Sequence, residues 1–246
     1  MKIDEILKLM QEYIPFYRKL GDYEYMASLH NQHPHDWPDP EEYIKKNLYR
    51  YALSFQWIEH YVDLEIRTLD LGQHHSFLTR FLMYTRPSMV VELAPCDFRH
   101  ALAYPDVWFS VILNTDVLEF IKDQEGSQPK HWVNNTGVDK FLWECHRITR
   151  QRGYMLLTTP NAISLRNVQR SLNMEQPLYS HTHVREYTPQ QVKHLLESHE
   201  FEVIRMETVD IYENGGMDNI RSWMESQGYS LNNRGDEIFA LAKRPI

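Results

Sequence analysis

The sequence predicts an α/β fold in which helices cover a mostly parallel sheet, with an antiparallel strand at one edge and a helical region in front. Beyond about residue 63, short continuous apolar runs alternate with amphipathic patterns, which is typical of parallel strands buried between helices. Before that point, apolar residues recur only at helical spacing. The chain has 246 residues, which suits one such domain. We therefore expect an N-terminal helical region or lid at 1–62 and an α/β domain at 63–246, with an insertion at about 213–233.

The N-terminal region predicts two amphipathic helices, over 3–20 and 41–60. Their apolar positions are Ile3, Ile6, Leu7, Met10 and Ile14, then Ile44, Leu48, Tyr51, Phe55 and Ile58. The proline-rich sequence HNQHPHDWPDP between them predicts an irregular connector.

The α/β elements follow in order along the chain. EIRTLDLG, SMVVELAP, VWFSVILNT and GYMLLTTPN predict buried strands, and FEVIRMETVDIY and DEIFALAKR predict the last two. Helices are predicted around Phe77 to Leu82, over VDKFLWECHRITRQ, over TPQQVKHLLESH and, inside the insertion, near Ile220 to Met224. The third helix carries Thr188, Pro189 and Gln191 where an N-cap, a first helical residue and a capping box require them.

Composition excludes several classes of function. The net charge is -8, which disfavours binding to a nucleic-acid backbone. Cys96 and Cys145 give no disulfide framework, so we expect a reducing, cytoplasmic location. No apolar run approaches the roughly 20 residues that a membrane-spanning helix needs.

Polar residues close four of the predicted strands. They are Asp70 with Gly72, Glu92, Asn114 to Asp116, and Thr158 to Asn161. Ligands of such sheets bind at the carboxyl ends of the strands, and an acid about twenty residues after the first loop commonly binds a ribose diol. Glu92 has that spacing from Gly72. Ordinary polar strand ends are the alternative explanation.

Five segments, in this order, resemble the class I S-adenosylmethionine-dependent methyltransferases, from about Arg67 to the C-terminus. They are RTLDLGQHHSFLTRFL, VWFSVILNTDVLEFIKD, FLWECHRITRQRGYMLLTTPN, HTHVREYTPQQVKHLLESHEFEV and GDEIFALAKRP. The fourth is similar to a segment common in members that modify saccharides in surface-glycan pathways. The resemblance implies a Rossmann-like sheet, S-adenosylmethionine as cofactor and a small polar acceptor, such as a saccharide.

The resemblance also implies roles for particular residues. Asp70 and Gly72 would meet the methionine end of the cofactor, Glu92 the ribose, and Asn114 and Thr115 the sulfonium region. Gln73 and His74 would contact the cofactor from the first loop. Asn161, Arg185 and Tyr187 would border the acceptor.

This sequence departs from the family pattern at several positions. The first motif keeps only Gly72, so its glycine loop is degenerate, and His74 and His75 follow where backbone usually approaches the ligand. Phe120 stands where histidine is frequent, and Arg152 and Glu200 where glycine is usual. Only about fifteen residues separate Glu92 from Val107, which shortens the usual connection.

Histidines offer a general base for transfer to a hydroxyl, which is a poor nucleophile at neutral pH. His181 and His183 lie in a predicted loop before a capped helix, and either could act as base, bind substrate or anchor the loop. His30, His33 and His35 with Asp36 are a weaker metal-binding alternative, and we expect no metal.

The function expected is methylation of an acceptor oxygen by in-line transfer with a histidine base. The alternative is a catalytically inactive methyltransferase-like domain that serves as a binding or assembly subunit, as the degenerate loop would suggest. A homodimer is compatible with either.

Overall fold

The computed structural model describes residues 1–32, 38–61, 67–72, 77–86, 90–93, 98, 100–123, 136–212 and 217–246, with backbone alone for 90–93. Its helices are α1 Ile3–Tyr17, α2 Gly21–Gln32, α3 Pro40–Ile58, α4 Phe77–Thr85, α5 Thr136–Ile148, α6 Leu165–Leu172, α7 Pro189–Ser198 and α8 Asp218–Ser226. Its strands are β1 Arg67–Asp70, β2 Val90–Leu93, β3 Phe109–Thr115, β4 Thr149–Pro160, β5 Glu202–Val209 and β6 Glu237–Lys243. None of these helices has both the length and the apolar character needed to cross a membrane.

The six strands form one sheet in the order β2-β1-β3-β4-β6-β5. The first four run parallel, while β6 runs antiparallel to both β4 and β5. The predicted mostly parallel sheet with antiparallel pairing near one edge is therefore confirmed. Because β6 is reversed, its first residue, Glu237, pairs with Pro160 at the end of β4. The carboxyl ends of β1, β3 and β4 and the start of β6 thus lie along one edge, which we call the carboxyl edge.

Two hydrophobic clusters cover the two faces of the sheet. Alternation along β3 sends Val111 and Leu113 into one cluster and Ile112 into the other, as the two-residue period of a strand requires. The first cluster joins the sheet to α1, α3 and α4 through aromatic side chains, including Phe55 and Phe77. The second joins it to α5 and α7. Residues of the N-terminal helices therefore share a hydrophobic core with the strands.

The sequence missed two helices and misplaced one boundary. Among the residues of α2, Asp22 alone is buried, so this helix has no apolar stripe that could reveal it. α6 is short and is polar over most of its length. The amphipathic pattern predicts a helix that continues to residue 151, but α5 ends at Ile148 and β4 begins at Thr149. The capped helix α7, and α8 within the insertion, are observed where they were predicted.

Two positions at which the family usually has glycine keep a left-handed backbone without it. Arg152 has φ 61° and Glu200 has φ 63°. At Glu200 this conformation closes α7, because it lets Phe201 N donate to Leu196 O at 3.0 Å. The backbone shape is retained, and each non-glycine side chain there adds strain of about 1 kcal/mol.

The described residues between β2 and β3, 98 and 100–108, contain neither helix nor strand. They are bound to α5 instead. Arg147 donates to Leu102 O at 2.9 Å and to Tyr104 O at 2.8 Å, while Glu144 accepts from Leu102 N at 2.8 Å. The short connection expected from the sequence is therefore a segment packed on a helix.

Candidate active site

The end of β1 forms a backbone cradle with the end of β3. Asp70 is fully buried and accepts hydrogen bonds from Gly72 N at 2.8 Å and from the hydroxyl of Thr79 in α4. A Cβ at residue 72 would lie 2.9 Å from Asp70 Oδ1 and 3.3 Å from Thr115 Oγ1. A side chain at this buried position would displace the carboxylate of Asp70, so glycine is required here for steric reasons.

Asn114, at the end of β3, is fully buried. Within the part of the chain that the structure describes, neither its Nδ2 nor its Oδ1 has a hydrogen-bond partner. A buried polar group left in that state costs about 1–3 kcal/mol, so such groups are normally satisfied by a ligand or an ordered water. This amide and the Gly72 cradle fit a cofactor that brings its own polar groups to the carboxyl edge.

Three of the residues predicted to contact the cofactor have no described side chain. Gln73 and His74 lie outside the described residues. Glu92 belongs to β2, where its backbone is adjacent to that of Leu69 in β1, but its side chain is not described. The contacts of these three residues stay predictions.

A buried ion pair, which the sequence did not predict, connects α3 to this edge. The guanidinium of Arg50 is 4% exposed and pairs with Asp116, which also accepts from Thr158 Oγ1 at 2.9 Å. The sequence carries little signal for it, because Arg50 shares its side of α3 with the polar residues Asn47 and Ser54, and only the structure shows that this side is buried. An arginine on that side of the helix must find a partner inside the protein.

Two buried carboxyl groups, those of Glu119 and Glu237, lie at the carboxyl edge. Burial raises the pKa of Glu119 to about 7, and its Oε2 accepts from Thr159 Oγ1 at 2.9 Å. Burial also raises the pKa of Glu237 well above its ordinary value. Glu119 therefore holds its proton at mildly acidic pH, which limits the negative charge at the edge.

Glu119 also attaches the predicted acceptor segment, residues 181–187, to the carboxyl edge. Its backbone oxygen accepts from Val184 N at 2.8 Å and from Arg185 N at 3.3 Å. Further along, Tyr187 O accepts from Ala162 N at 2.9 Å, beside the bridge between Tyr187 and Asn161. The segment therefore runs alongside the ends of β3 and β4.

His183 and Glu186 form a hydrogen-bonded pair within this segment. His183 Nδ1 lies 2.8 Å from Glu186 Oε1, and the two side chains are 6% and 0% exposed. Glu186 is itself held by Asn167 Nδ2 at 2.8 Å and by the backbone N–H of Tyr179. The ring of Phe120 meets the imidazole edge-on, with centroids 5.0 Å apart. His181, by contrast, is exposed.

The other three predicted acceptor residues border the same strand ends. The side-chain amide of Asn161 donates to Asn233 O at 2.9 Å and to Gly235 O at 2.6 Å, and its oxygen accepts from Ile163 N. Tyr187 is buried, which raises its pKa to about 12 despite the nearby cation of Arg185. In this arrangement the Asn161 side chain orders the loop after β4, and Arg185 and Tyr187 lie beside it.

Among the residues that the structure describes, no three His, Cys, Asp or Glu side chains are grouped to hold a metal ion. His33, His35 and Asp36 of the sequence-derived alternative lie outside those residues.

Comparisons with known proteins identify the family and support the fold. A family model described as a methyltransferase domain matches residues 23–206. A SAM-dependent methyltransferase from Archaeoglobus fulgidus is similar in structure, with a TM-score of 0.53 at 15% identity over 79% of this chain and 92% of that one. The pyocyanin biosynthetic protein PhzM is similar with a TM-score of 0.50 at 14% identity, over 84% of this chain and 59% of that one. A search of curated proteins finds no match.

The family match spans the sheet strands β1 to β4, the cradle at Gly72 and the segment that carries His183. The structural matches reproduce the same fold. The chain therefore belongs to the methyltransferase-domain family and is an S-adenosylmethionine-dependent methyltransferase.

Proposed function

We propose that this methyltransferase transfers a methyl group to an oxygen of a saccharide or another small polar acceptor, with His183 as general base. The observation that carries the proposal is the hydrogen bond between His183 Nδ1 and the buried carboxyl of Glu186. A carboxylate that fixes one imidazole nitrogen leaves the other free to accept a proton, which is the arrangement a histidine base requires.

Four residues of the carboxyl edge would hold the cofactor. Gly72 places no side chain between the ends of β1 and β3, Asp70 sets the conformation of that loop, and Asn114 and Thr115 offer polar side chains at the end of β3. Gln73, His74 and Glu92 complete the proposed set. The cofactor, when bound, supplies the methyl group on a sulfonium, which is already an electrophile.

The protein has to orient the acceptor and remove its proton. In the proposed step the acceptor hydroxyl would give its proton to Nε2 of His183, and its oxygen would take the methyl group as the carbon–sulfur bond of the sulfonium breaks and a neutral thioether leaves. Glu186 keeps Nδ1 protonated and stabilises the imidazolium that forms. Asn161, Arg185 and Tyr187 would border the acceptor, and His181, which is exposed, is the alternative base.

A screen of acceptors tests this proposal. Purified protein is incubated with radiolabelled S-adenosylmethionine and a panel of sugars, sugar phosphates and nucleotide sugars, and products are assigned as O-methyl compounds by NMR. The expected result is an O-methylated saccharide whose formation depends on His183. A product methylated on nitrogen or carbon would overturn the acceptor assignment. A wild-type rate in His183→Asn would overturn the assigned base.

The cellular setting belongs to the same proposal. A reducing cytoplasm and a role in saccharide biosynthesis are the proposed setting, and two cysteines in 246 residues suit a reducing compartment. A homodimer is the proposed assembly. Sedimentation velocity at several protein concentrations tests it, and a single monomeric species throughout would rule it out.

A further inference from the structure

A cavity of about 830 Å³ lies between α3 and α6, beside the chain that follows β5. Its size falls within the range of small-molecule sites, about 300–1,000 Å³. Its described charged lining is four cations and one carboxylate, namely Lys45, Lys46, Arg166, Arg170 and Glu175. We call this cavity the cationic pocket. It concentrates positive charge on a chain whose net charge is -8.

Two stacked tyrosine rings adjoin these cations. Tyr179 and Tyr212 have ring centroids 4.7 Å apart. Lys46 Nζ lies 5.1 Å from the Tyr212 ring and 5.7 Å from the Tyr179 ring, and Arg166 Cζ lies 4.8 Å from the Tyr179 ring. Such cation–π contacts restrain the long side chains, so less conformational entropy is lost when they bind a ligand.

The cations differ in the partners they already have. Lys45 pairs with Glu41 at 2.7 Å, and Arg170 donates to Leu178 O. Across the described part of the chain, no carboxylate forms an ion pair with Lys46 or Arg166. These two cations come from different helices and leave a charge that an anion between them would neutralise.

We propose that the cationic pocket binds a phosphate or diphosphate group carried by the acceptor. An arginine fork donates to two oxygens of a phosphate at once, and a lysine adds a point charge for the remaining oxygens. Tyr179 connects the pocket to the proposed base, because its ring stacks on His183 with centroids 6.2 Å apart. The inference rests on the proposed function, since it assigns a charged group to the acceptor of that reaction.

Binding of inorganic pyrophosphate tests the pocket without needing the acceptor. Calorimetry at low ionic strength should show one site, and added potassium chloride should weaken binding because the cations are partly exposed. Lys46→Gln and Arg166→Gln should each raise the dissociation constant about tenfold. Lys45→Gln should have a smaller effect because Glu41 already pairs with it. Lys193→Gln, an exposed cation on α7, is the matched control and should bind as wild type.

The outcomes separate this inference from the proposed function. Absence of pyrophosphate binding, or unchanged affinity in both Lys46→Gln and Arg166→Gln, would overturn the pocket assignment even if methyl transfer to a saccharide is found. Malonate binding as tightly as pyrophosphate would overturn the phosphate class. His183→Asn should bind pyrophosphate like wild type, so a failure of the proposed base would leave the anion site intact.

Discussion

The carboxyl edge and the cationic pocket hold their polar groups in opposite ways. At the edge, the side chains of Arg50, Glu119 and Asn114 are buried, so the residues packed around them fix their positions. In the pocket, Lys46 is exposed and Arg166 half-buried, and aromatic rings restrain them. We therefore expect the edge to be preorganised for one fixed ligand, and the pocket to attract anions and to tolerate variation in the group it binds.

Substitutions in the two regions should also differ in the size of their energetic effects. Changes at the edge should alter stability or chemistry strongly, because buried groups left without partners are costly. Changes in the pocket should alter affinity modestly and depend on salt. Five predictions test or refine this contrast.

The largest effect is expected at the proposed base, where the edge meets the acceptor. His183→Asn should lower kcat by about 10²- to 10⁴-fold, because no general base then accepts the proton of the acceptor hydroxyl. Steady-state kinetics with the identified acceptor, across pH, measures this. His181→Asn is the matched control and should retain most activity. Equal losses in the two variants would mean that His183 has no special role.

Removing the buried cation of the edge should destabilise the fold. Arg50→Met leaves Asp116 without its ion pair and takes a positive charge away from Glu119 and Glu237, which should cost about 3–5 kcal/mol in the free energy of unfolding. Urea unfolding followed by circular dichroism checks this. The double variant Arg50→Met/Asp116→Asn should regain part of the loss, since asparagine tolerates the φ of 53° at residue 116. A double variant no more stable than Arg50→Met would argue against the pairing.

The pH dependence of stability reports the buried carboxyl of Glu119. Its pKa is about 7 in the folded protein against an ordinary value of 4.5, so the unfolded chain ionises first and stability falls as pH rises between these values. The fall amounts to about 3 kcal/mol at most from this residue. Glu119→Gln should reduce the difference in unfolding free energy between pH 5 and pH 8. An unchanged difference would show that Glu119 titrates normally.

A single methyl group should disturb the cradle. Gly72→Ala places a Cβ too close to Asp70, so the strand end must shift and the affinity for S-adenosylmethionine should fall about tenfold or more, near 1.4 kcal/mol. Calorimetric titration measures it. Gly21→Ala is the matched control, because nothing lies within 4 Å of a Cβ there. Wild-type affinity in Gly72→Ala would place the cofactor elsewhere.

The smallest effect concerns a site outside both regions, which provides a baseline. Glu200→Gly relieves the left-handed strain after α7 and should raise the unfolding free energy by about 1 kcal/mol, less the entropy that glycine gains when unfolded. Thermal unfolding measures the gain. Glu200→Ala keeps the Cβ and should show no such gain; equal stabilisation by both changes would mean that the side chain, rather than the backbone, is responsible.

The sequence predicted the sheet and the carboxyl edge because both follow from local patterns. A continuous apolar strand that ends in Asp70 or Asn114 is visible in a few consecutive residues, and parallel topology brings such ends together. The order of five segments predicted the family. The capping box at Thr188 predicted the start of α7 for the same reason.

The remaining features depend on contacts between distant segments. Arg50 and Asp116 meet only because α3 packs across the sheet, and the cationic pocket combines residues of α3 with residues of α6, a helix that the sequence did not reveal. The pairing of His183 with Glu186 is local, but two histidines lie in that loop, and burial is what separates them. Partners and burial are properties of the packed chain, so spacing alone could not supply them.

One helix takes part in both regions. α3 carries Arg50 at the carboxyl edge and Lys46 at the cationic pocket, four residues and about 6 Å apart along the helix axis. Because Arg50 is anchored to Asp116, Lys46 cannot move along this axis independently. The helix would thereby fix the distance between the proposed methyl-transfer site and the proposed anion site. Acceptors should accordingly be selected by the distance between their hydroxyl and their charged group, more than by the identity of the atoms between them.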